Sequence, residues 1–139
     1  MDDFRFYIPI EVRYSDLDPQ GHVTNARYLN FMEQARVSYI RHLELWDGGS
    51  FLNIGIILAD AHVTFKEPIL WGQEVRVGMR ISRLGNKSMD SLYRIEDAQI
   101  GKELASGSSV LVAYDYHIGS TILIPDTWRK VITEFEQLS

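Results

Sequence analysis

Residues 13–28 place two carboxylates, a histidine and an asparagine close to the predicted start of a helix. The stretch reads Arg-Tyr-Ser-Asp-Leu-Asp-Pro-Gln-Gly-His-Val-Thr-Asn-Ala-Arg-Tyr, and Pro19 and Gly21 predict a turn in its middle. A helix begins with unsatisfied backbone N–H groups and a partial positive charge, so a carbonyl oxygen placed there is polarised. Asp18 could face that carbonyl as a general base on water or as a nucleophile. The stretch therefore pairs two groups that acyl-transfer chemistry needs.

Two elements must hold this turn, a strand before it and a helix after it. Residues 6–14 are rich in β-branched and aromatic residues and predict a strand, in which Pro9 indicates an edge position or a bulge. Either Thr24 or Asn25 can cap the helix. We expect this helix to be well covered, because its apolar residues form a wide stripe at helical spacing: Tyr28, Phe31, Met32, Ala35, Tyr39, Ile40 and Leu43.

The remainder of the chain predicts hairpin-linked strands and a closing helix. Strands are predicted at residues 56–66, 74–84, 88–97 and 102–114, with a hairpin turn at Gly85 and Asn86, and the helix at residues 125–138. This order predicts an α+β fold with a mostly antiparallel sheet. One face of the last long strand is mostly small, which would let the long helix approach the sheet closely: Ala105, Gly107, Ser109, Leu111 and Ala113.

The composition excludes several classes of function. The 139 residues predict one domain, residues 1–139, and the absence of cysteine excludes disulfides, a thiol nucleophile and a thiolate metal site. The four histidines lack metal-ligand spacing, so no metal is expected. A net charge of −5 argues against a general nucleic-acid binder, although a local basic patch could still hold a phosphorylated ligand. No segment predicts a membrane span or a secretory signal, so we expect a cytoplasmic protein without membrane contact.

The same motifs resemble those of a known family, the hotdog-fold acyl-CoA thioesterases of the 4-hydroxybenzoyl-CoA thioesterase and YbgC type. The matching pattern begins with Arg-Tyr, Asp-Leu-Asp and Gly-His-Val-Thr-Asn, and continues with Tyr28, Glu33 and Arg36. Weaker matches follow at residues 63–65, 68–72, 84–88 and 124–125, so the resemblance covers nearly the whole chain. It implies a hotdog fold, in which an antiparallel sheet wraps around one long central helix.

The resemblance also implies roles for particular residues. The second carboxylate of the turn, Asp18, would be catalytic, and the backbone N–H that polarises the thioester carbonyl maps to Asn25. The turn after residue 84 would bind the phosphates and pantetheine of CoA through Arg83, Lys87 and Ser88, of which Lys87 suits a phosphate best as a point charge. CoA would be part of the substrate, with no further cofactor. Hotdog subunits pair into homodimers or homotetramers, with the active site at the subunit interface.

Several of these residues also have a purely structural interpretation. Turn aspartates commonly bond their own backbone, which for Asp16 is a sufficient explanation and for Asp18 the alternative to catalysis. His22 is either a second base at the site or a histidine that packs within the turn. Tyr28 is expected to line the acyl pocket, and Glu33 to form an ion pair with Arg36 one turn later.

The predicted function is thus an acyl-CoA thioesterase that hydrolyses a thioester to a carboxylic acid and free CoA. Two alternatives stay open. A hotdog hydratase or dehydratase would need an Asp–His pair, for which His22 is the neighbour of Asp18. A non-catalytic acyl-CoA or acyl-carrier binding protein would use the same surfaces without turnover. The chain has no G-x-S-x-G elbow, no Walker sequence and no G-x-G-x-x-G sequence, which argues against a serine hydrolase and against those modes of nucleotide binding.

Overall fold

The computed structural model describes residues 4–139, which form a curled antiparallel sheet and two helices. The strands are β1 (Phe6–Ile10), β2 (Ile56–Phe65), β3 (Val75–Leu84), β4 (Ser88–Asp97), β5 (Glu103–Asp115) and the short β6 (Ser120–Thr121). Their order across the sheet is β1-β3-β4-β5-β2, and β6 pairs with the end of β5. The helices are α1 (Asn25–His42) and α2 (Asp126–Glu136), and single 3-10 turns occur at Tyr14–Asp16 and Phe51–Asn53.

The strand before the turn of Asp18 is shorter than its composition predicts. It ends at Ile10 rather than Tyr14, and it lies at one edge of the sheet, as Pro9 indicates. The physical reason lies at Arg13, whose carbonyl accepts the N–H of Asp16 and whose own N–H donates to the Asp16 carboxylate. Those bonds replace a strand ladder with a tight turn, so the β-favouring side chain of Tyr14 is overruled locally.

Helix α1 lies against one face of the sheet and forms the centre of the core. The predicted apolar stripe is confirmed for six of its seven members, since Tyr28, Phe31, Met32, Ala35, Tyr39 and Ile40 are buried, whereas Leu43 caps the end of α1 and is half-buried. The close approach to β5 is also confirmed, because a Cβ atom added at Gly107 would lie 2.9 Å from the sulfur of Met32. Small side chains on this face of β5 thus set the distance between helix and sheet.

Helix α2 is fastened to the other elements by a buried carboxylate. Glu136 is 5% exposed, and its Oε2 accepts hydrogen bonds from the Tyr39 hydroxyl at 2.6 Å and from the Ile81 N–H at 3.0 Å. Burial, together with the hydrogen bond to Glu136, raises the pKa of Tyr39 far above its ordinary value, so the phenol stays protonated as the donor. The closing helix therefore bonds to α1 and β3 at one point.

The opposite edge of the sheet is strand β2, which pairs only with β5 among the described residues. Two large apolar side chains of this strand, Leu58 and Phe65, are about half exposed. The α+β arrangement of a curled antiparallel sheet with a long helix against it is the one that the family resemblance implies. Within residues 4–139, neither helix is long and apolar enough to cross a membrane.

Candidate active site

The turn between β1 and α1 is folded as a small three-stranded ribbon. Leu17 pairs with Val23, and His22 pairs with Leu70, in isolated antiparallel bridges. Asp18 donates its N–H to the His22 carbonyl at 2.8 Å, and Gly21 bonds back to the Asp18 carbonyl at 3.0 Å. Gly21 has a φ of +80°, a conformation that glycine adopts without strain, so the turn needs a glycine there. The ribbon fixes Asp18 and His22 directly opposite each other.

Asp18 has one oxygen bound to the turn and one oxygen free. Its Oδ1 accepts the backbone N–H of Gln20 at 2.9 Å and of His22 at 3.1 Å. Among residues 4–139, Oδ2 has no hydrogen-bond partner, and the side chain is half-buried. The backbone-bonding role that turn aspartates commonly have is thus present, and it leaves an oxygen that can accept a proton or attack a carbonyl.

The first residue of α1, Asn25, lies near Asp18. Thr24 is the cap and Asn25 the first helical residue, and the Thr24 side chain makes no capping hydrogen bond. The N–H of Arg27 donates to the Thr24 carbonyl at 3.0 Å, whereas those of Asn25 and Ala26 have no acceptor among the described residues. These two N–H groups carry part of the positive charge of the helix N-terminus, because no helical carbonyl precedes them.

An open pocket of about 400 Å³ brings four of the predicted residues together. Asp18, His22, Asn25 and Tyr28 line it, together with Gln20, Val23, Phe65, Lys66, Glu67 and Pro68. Tyr28 is 2% exposed, its ring meets the Phe65 ring edge-on at 4.8 Å, and burial raises the pKa of its phenol. The pocket therefore joins a free carboxylate oxygen, the helix start and an aromatic wall.

Sequence reasoning missed Phe65 and Lys66 as pocket residues. They lie at the end of β2, where the N–H groups of Lys66 and Glu67 both donate to the Leu104 carbonyl. Lys66 forms an ion pair with Glu103 on β5. In the sequence, Phe65 belongs to one of the weaker family matches and both residues precede Pro68, but neither feature reveals that the end of the strand meets the turn.

The predicted CoA-binding residues lie at the other end of the sheet. Arg83, Lys87 and Ser88 surround the β3–β4 hairpin, and Arg83 forms an ion pair with Asp90 at 3.7 Å. Ser88 is level with Val112 on β5, whereas Phe65 of the pocket is level with Ala105. Seven strand residues correspond to about 23 Å. Within one chain, the structure therefore does not bring these three residues to the pocket of Asp18.

The predicted ion pair between Glu33 and Arg36 is wrong. Glu33 is exposed, whereas Arg36 is 9% exposed and donates to the Tyr93 hydroxyl at 3.3 Å. That hydroxyl also bonds to Ser91 and Ser109, so Arg36 meets a buried cluster of hydroxyl groups. A side chain on the covered face of a helix finds its partners across the interface rather than one turn along the helix, which spacing alone does not reveal.

No group of three or more His, Cys, Asp or Glu side chains that could hold a metal ion occurs within the described part of the chain. The ionisable side chains that line the pocket are those of Asp18, His22, Lys66 and Glu67, beside Asn25 at the start of α1. Such a set suits attack on a polarised carbonyl.

Comparisons with known proteins identify the family. Residues 12–132 match the model of the thioesterase-like superfamily. The chain is 28% identical over 79 residues to the long-chain acyl-CoA thioesterase FadM of Escherichia coli K12, covering 57% of this chain and 60% of that protein. It is 49% identical over 41 residues to the acyl-CoA thioesterase YbgC of Haemophilus influenzae, 30% of each chain.

A solved structure is similar over the full length. The crystal structure of a thioesterase from Thermus thermophilus, complexed with coenzyme A and Zn, has a TM-score of 0.87 and 32% identity, covering 100% of this chain and 99% of that one. The chain therefore belongs to the thioesterase-like superfamily. The expectation of a thioesterase-type enzyme on a hotdog fold is confirmed at the level of the family.

Proposed function

We propose that this protein hydrolyses acyl-CoA thioesters to a carboxylic acid and free CoA, with Asp18 and the start of α1 as its catalytic groups. The observation on which the proposal depends is that one pocket is lined both by Asp18, whose Oδ2 accepts no hydrogen bond from residues 4–139, and by Asn25, whose N–H has no acceptor among them. The acyl-CoA thioesterase activities of FadM and YbgC, and the CoA bound to the Thermus thermophilus protein, support acyl-CoA as the substrate class.

In the proposed mechanism, the thioester carbonyl oxygen lies against the N–H groups at the start of α1. Asp18 takes a proton from a water molecule as the new C–O bond forms, and the N–H groups stabilise the oxyanion. The C–S bond then breaks, CoA leaves as the thiolate, and the proton returns to it or to solvent. In the alternative, Asp18 itself attacks, CoA thiolate leaves, and water hydrolyses the mixed anhydride. Rapid-quench mass spectrometry distinguishes the two, because only the second adds the acyl mass to the enzyme.

We further propose a homodimer or homotetramer in which a second chain completes the site. Strand β2 is an edge with half-exposed Leu58 and Phe65, and edge strands need covering. If two copies pair along β2 about a twofold axis, the strands run antiparallel. The hairpin end of one chain then lies beside the pocket end of the other. Lys87, Arg83 and Ser88 would thereby reach the CoA bound at the partner's pocket.

A second candidate function is a hydratase or dehydratase, because the His22 and Asp18 side chains line the same pocket. That chemistry adds water to a carbon–carbon double bond and leaves the thioester intact. The third possibility is a protein that binds acyl-CoA or an acyl carrier in this pocket without turnover, so that Asp18 takes no part in a reaction. In each case the chain acts as one domain without a further cofactor, in the cytoplasm.

The deciding experiment measures free-thiol release from a panel of acyl-CoAs, from aromatic to long-chain, with the wild type and Asp18→Asn. The chain contains no cysteine, so every thiol detected comes from the substrate. Release from a saturated acyl-CoA supports the thioesterase and names the acyl class. Affinity for CoA esters without release from any of them would refute it and favour the binder. Hydration of an enoyl-CoA without thiol release would favour the hydratase.

A further inference from the structure

The first carboxylate of the turn, Asp16, is nearly inaccessible and does not line the pocket. Its side chain is 1% exposed. Oδ2 accepts the backbone N–H of Arg13 at 2.9 Å, and Oδ1 accepts from the Arg13 guanidinium at 3.2 Å. The Arg27 guanidinium lies 3.6 Å from the same oxygen. One carboxylate thus joins the end of the β1 segment to the first turn of α1.

The backbone of Asp16 makes the same connection a second time. Its N–H donates to the Arg13 carbonyl, and its carbonyl accepts the N–H of Thr24, the cap of α1, each at 2.9 Å. The loop of residues 17–23, which includes Asp18, therefore lies between two segments that Asp16 connects, at Arg13 and at Thr24. The position of Asp18 relative to the helix start depends on this connection.

The charges around Asp16 indicate that this connection depends on its ionised carboxylate. A cation in the first turn of a helix opposes the helix dipole, yet Arg27 occupies that place. The negative charge of the Asp16 carboxylate offsets this unfavourable interaction between Arg27 and the helix dipole. Burial would raise the pKa of Asp16, but the hydrogen bonds and charges from Arg13 and Arg27 outweigh burial and hold that pKa below its ordinary value. An ionised, fully bonded carboxylate in so buried a place is costly to disturb.

We propose that Asp16 is a positioning residue that fixes the loop bearing Asp18 against the first turn of α1. It thereby sets the separation between the Asp18 carboxylate and the N–H groups of Asn25 and Ala26. The catalytic part of this inference rests on the proposed thioester hydrolysis. Asp16 does not contact a substrate held in the pocket of Asp18, because it lines a separate cavity beside Arg13 and Asn30.

The test uses Asp16→Asn, Arg27→Gln and the double variant. The asparagine keeps the volume and an oxygen for the Arg13 N–H, but it loses the charge that holds both guanidinium groups. The matched control is Asp115→Asn, which neutralises a carboxylate at the other end of β5 that also accepts two backbone N–H groups, those of His117 and Ile118.

The first measurement is amide hydrogen exchange, which does not depend on activity. Asp16→Asn is expected to speed exchange at Gln20, His22 and Thr24, whose N–H groups bond within the enclosed loop. Asp115→Asn is expected to leave those three amides unchanged. Unchanged exchange at these amides in Asp16→Asn would overturn the proposal, whatever the enzyme does.

The second measurement is the kinetics of thiol release at a temperature where all variants are folded. A displaced catalytic group costs up to about 10²-fold, so we expect Asp16→Asn to lower kcat by that order while KM changes less than about threefold. The double variant should be no slower than Asp16→Asn alone, because both residues act through one contact. Faster exchange with normal kcat, or a rise in KM alone, would overturn the positioning role. A wild type that cleaves no thioester would instead refute the proposed function, and the exchange result would still decide whether Asp16 holds the loop.

Discussion

Replacing Asp18 by asparagine tests the proposed mechanism most directly. The side-chain oxygen of asparagine can still accept the N–H groups of Gln20 and His22, which Oδ1 of Asp18 accepts at 2.9 and 3.1 Å. The turn should therefore keep its shape. What is lost is the negative charge and the free Oδ2, which are the groups that remove a proton or attack a carbonyl.

The expected magnitude follows from the role of a positioned base. General-base action supplies about 10²- to 10⁴-fold of rate, which corresponds to about 2.7–5.4 kcal/mol of activation free energy. The N–H donors at Asn25 and Ala26 are unaffected by the change, and one such donor supplies about 10²- to 10³-fold on its own. We therefore expect kcat to fall by at least about 10²-fold, with activity remaining above the uncatalysed rate.

The assay is thiol release from the best acyl-CoA under saturating and limiting conditions, so that kcat and KM are separated. Asp115→Asn is the matched control, because one Asp115 oxygen also accepts two backbone N–H groups, from His117 and Ile118, at 2.8 and 3.3 Å. That control should retain wild-type turnover. A folded Asp18→Asn variant with near-wild-type kcat would refute the assignment and leave Asp18 a turn residue.

Four further outcomes follow from the packing and the charges. Gly107→Ala should lower the free energy of unfolding by about 1–3 kcal/mol, measured by urea denaturation, because the added methyl meets Met32; an unchanged midpoint would contradict the tight contact. Glu136→Leu should cost about 2–4 kcal/mol by the same measurement, since it leaves two buried donors unpaired, with Glu134→Leu on the same helix as the control. Folding lowers the pKa of Asp16, so its ionised form stabilises the fold at neutral pH. The difference in unfolding free energy between the wild type and Asp16→Asn should therefore be largest at pH 7 and should shrink as the pH falls below 3.8. A difference that does not change with pH would contradict the ion pairing. Lys87→Ala should raise KM for acyl-CoA but not for the acyl-pantetheine analogue, which lacks the nucleotide phosphates, and an equal rise for both would refute phosphate binding.

The sequence predicted the elements with a strong period and missed those determined by single contacts. Helix α1 and the alternating strands β3, β4 and β5 follow from hydrophobic spacing, which burial of one face enforces. The C-terminal end of β1 could not be predicted in this way, because the hydrogen bonds between Arg13 and Asp16 determine where the strand stops. The partner of Arg36 was wrong for a similar reason, since a buried side chain chooses among groups brought together only by the fold.

Only the part of the candidate site formed by neighbouring residues could be predicted from the sequence. Asp18, His22, Asn25 and Tyr28 are close together in the sequence, so local structure alone brings them to one pocket. Phe65 and Lys66 join them through the pairing of His22 with Leu70, a contact between segments distant in sequence. The hairpin with Lys87 lies far away in the same chain, and no local pattern reveals which surface of an assembly it serves.

The contact between Met32 and Gly107 has a consequence for which substitutions the core can accept. The end of the Met32 side chain, a flexible thioether, occupies the space that a Cβ atom at residue 107 would need. A shorter residue at position 32 would leave a cavity between α1 and β5, and a larger residue at position 107 would need that same cavity. The packing of α1 on the sheet therefore couples two positions that lie far apart in the sequence, and each is expected to tolerate change only together with the other.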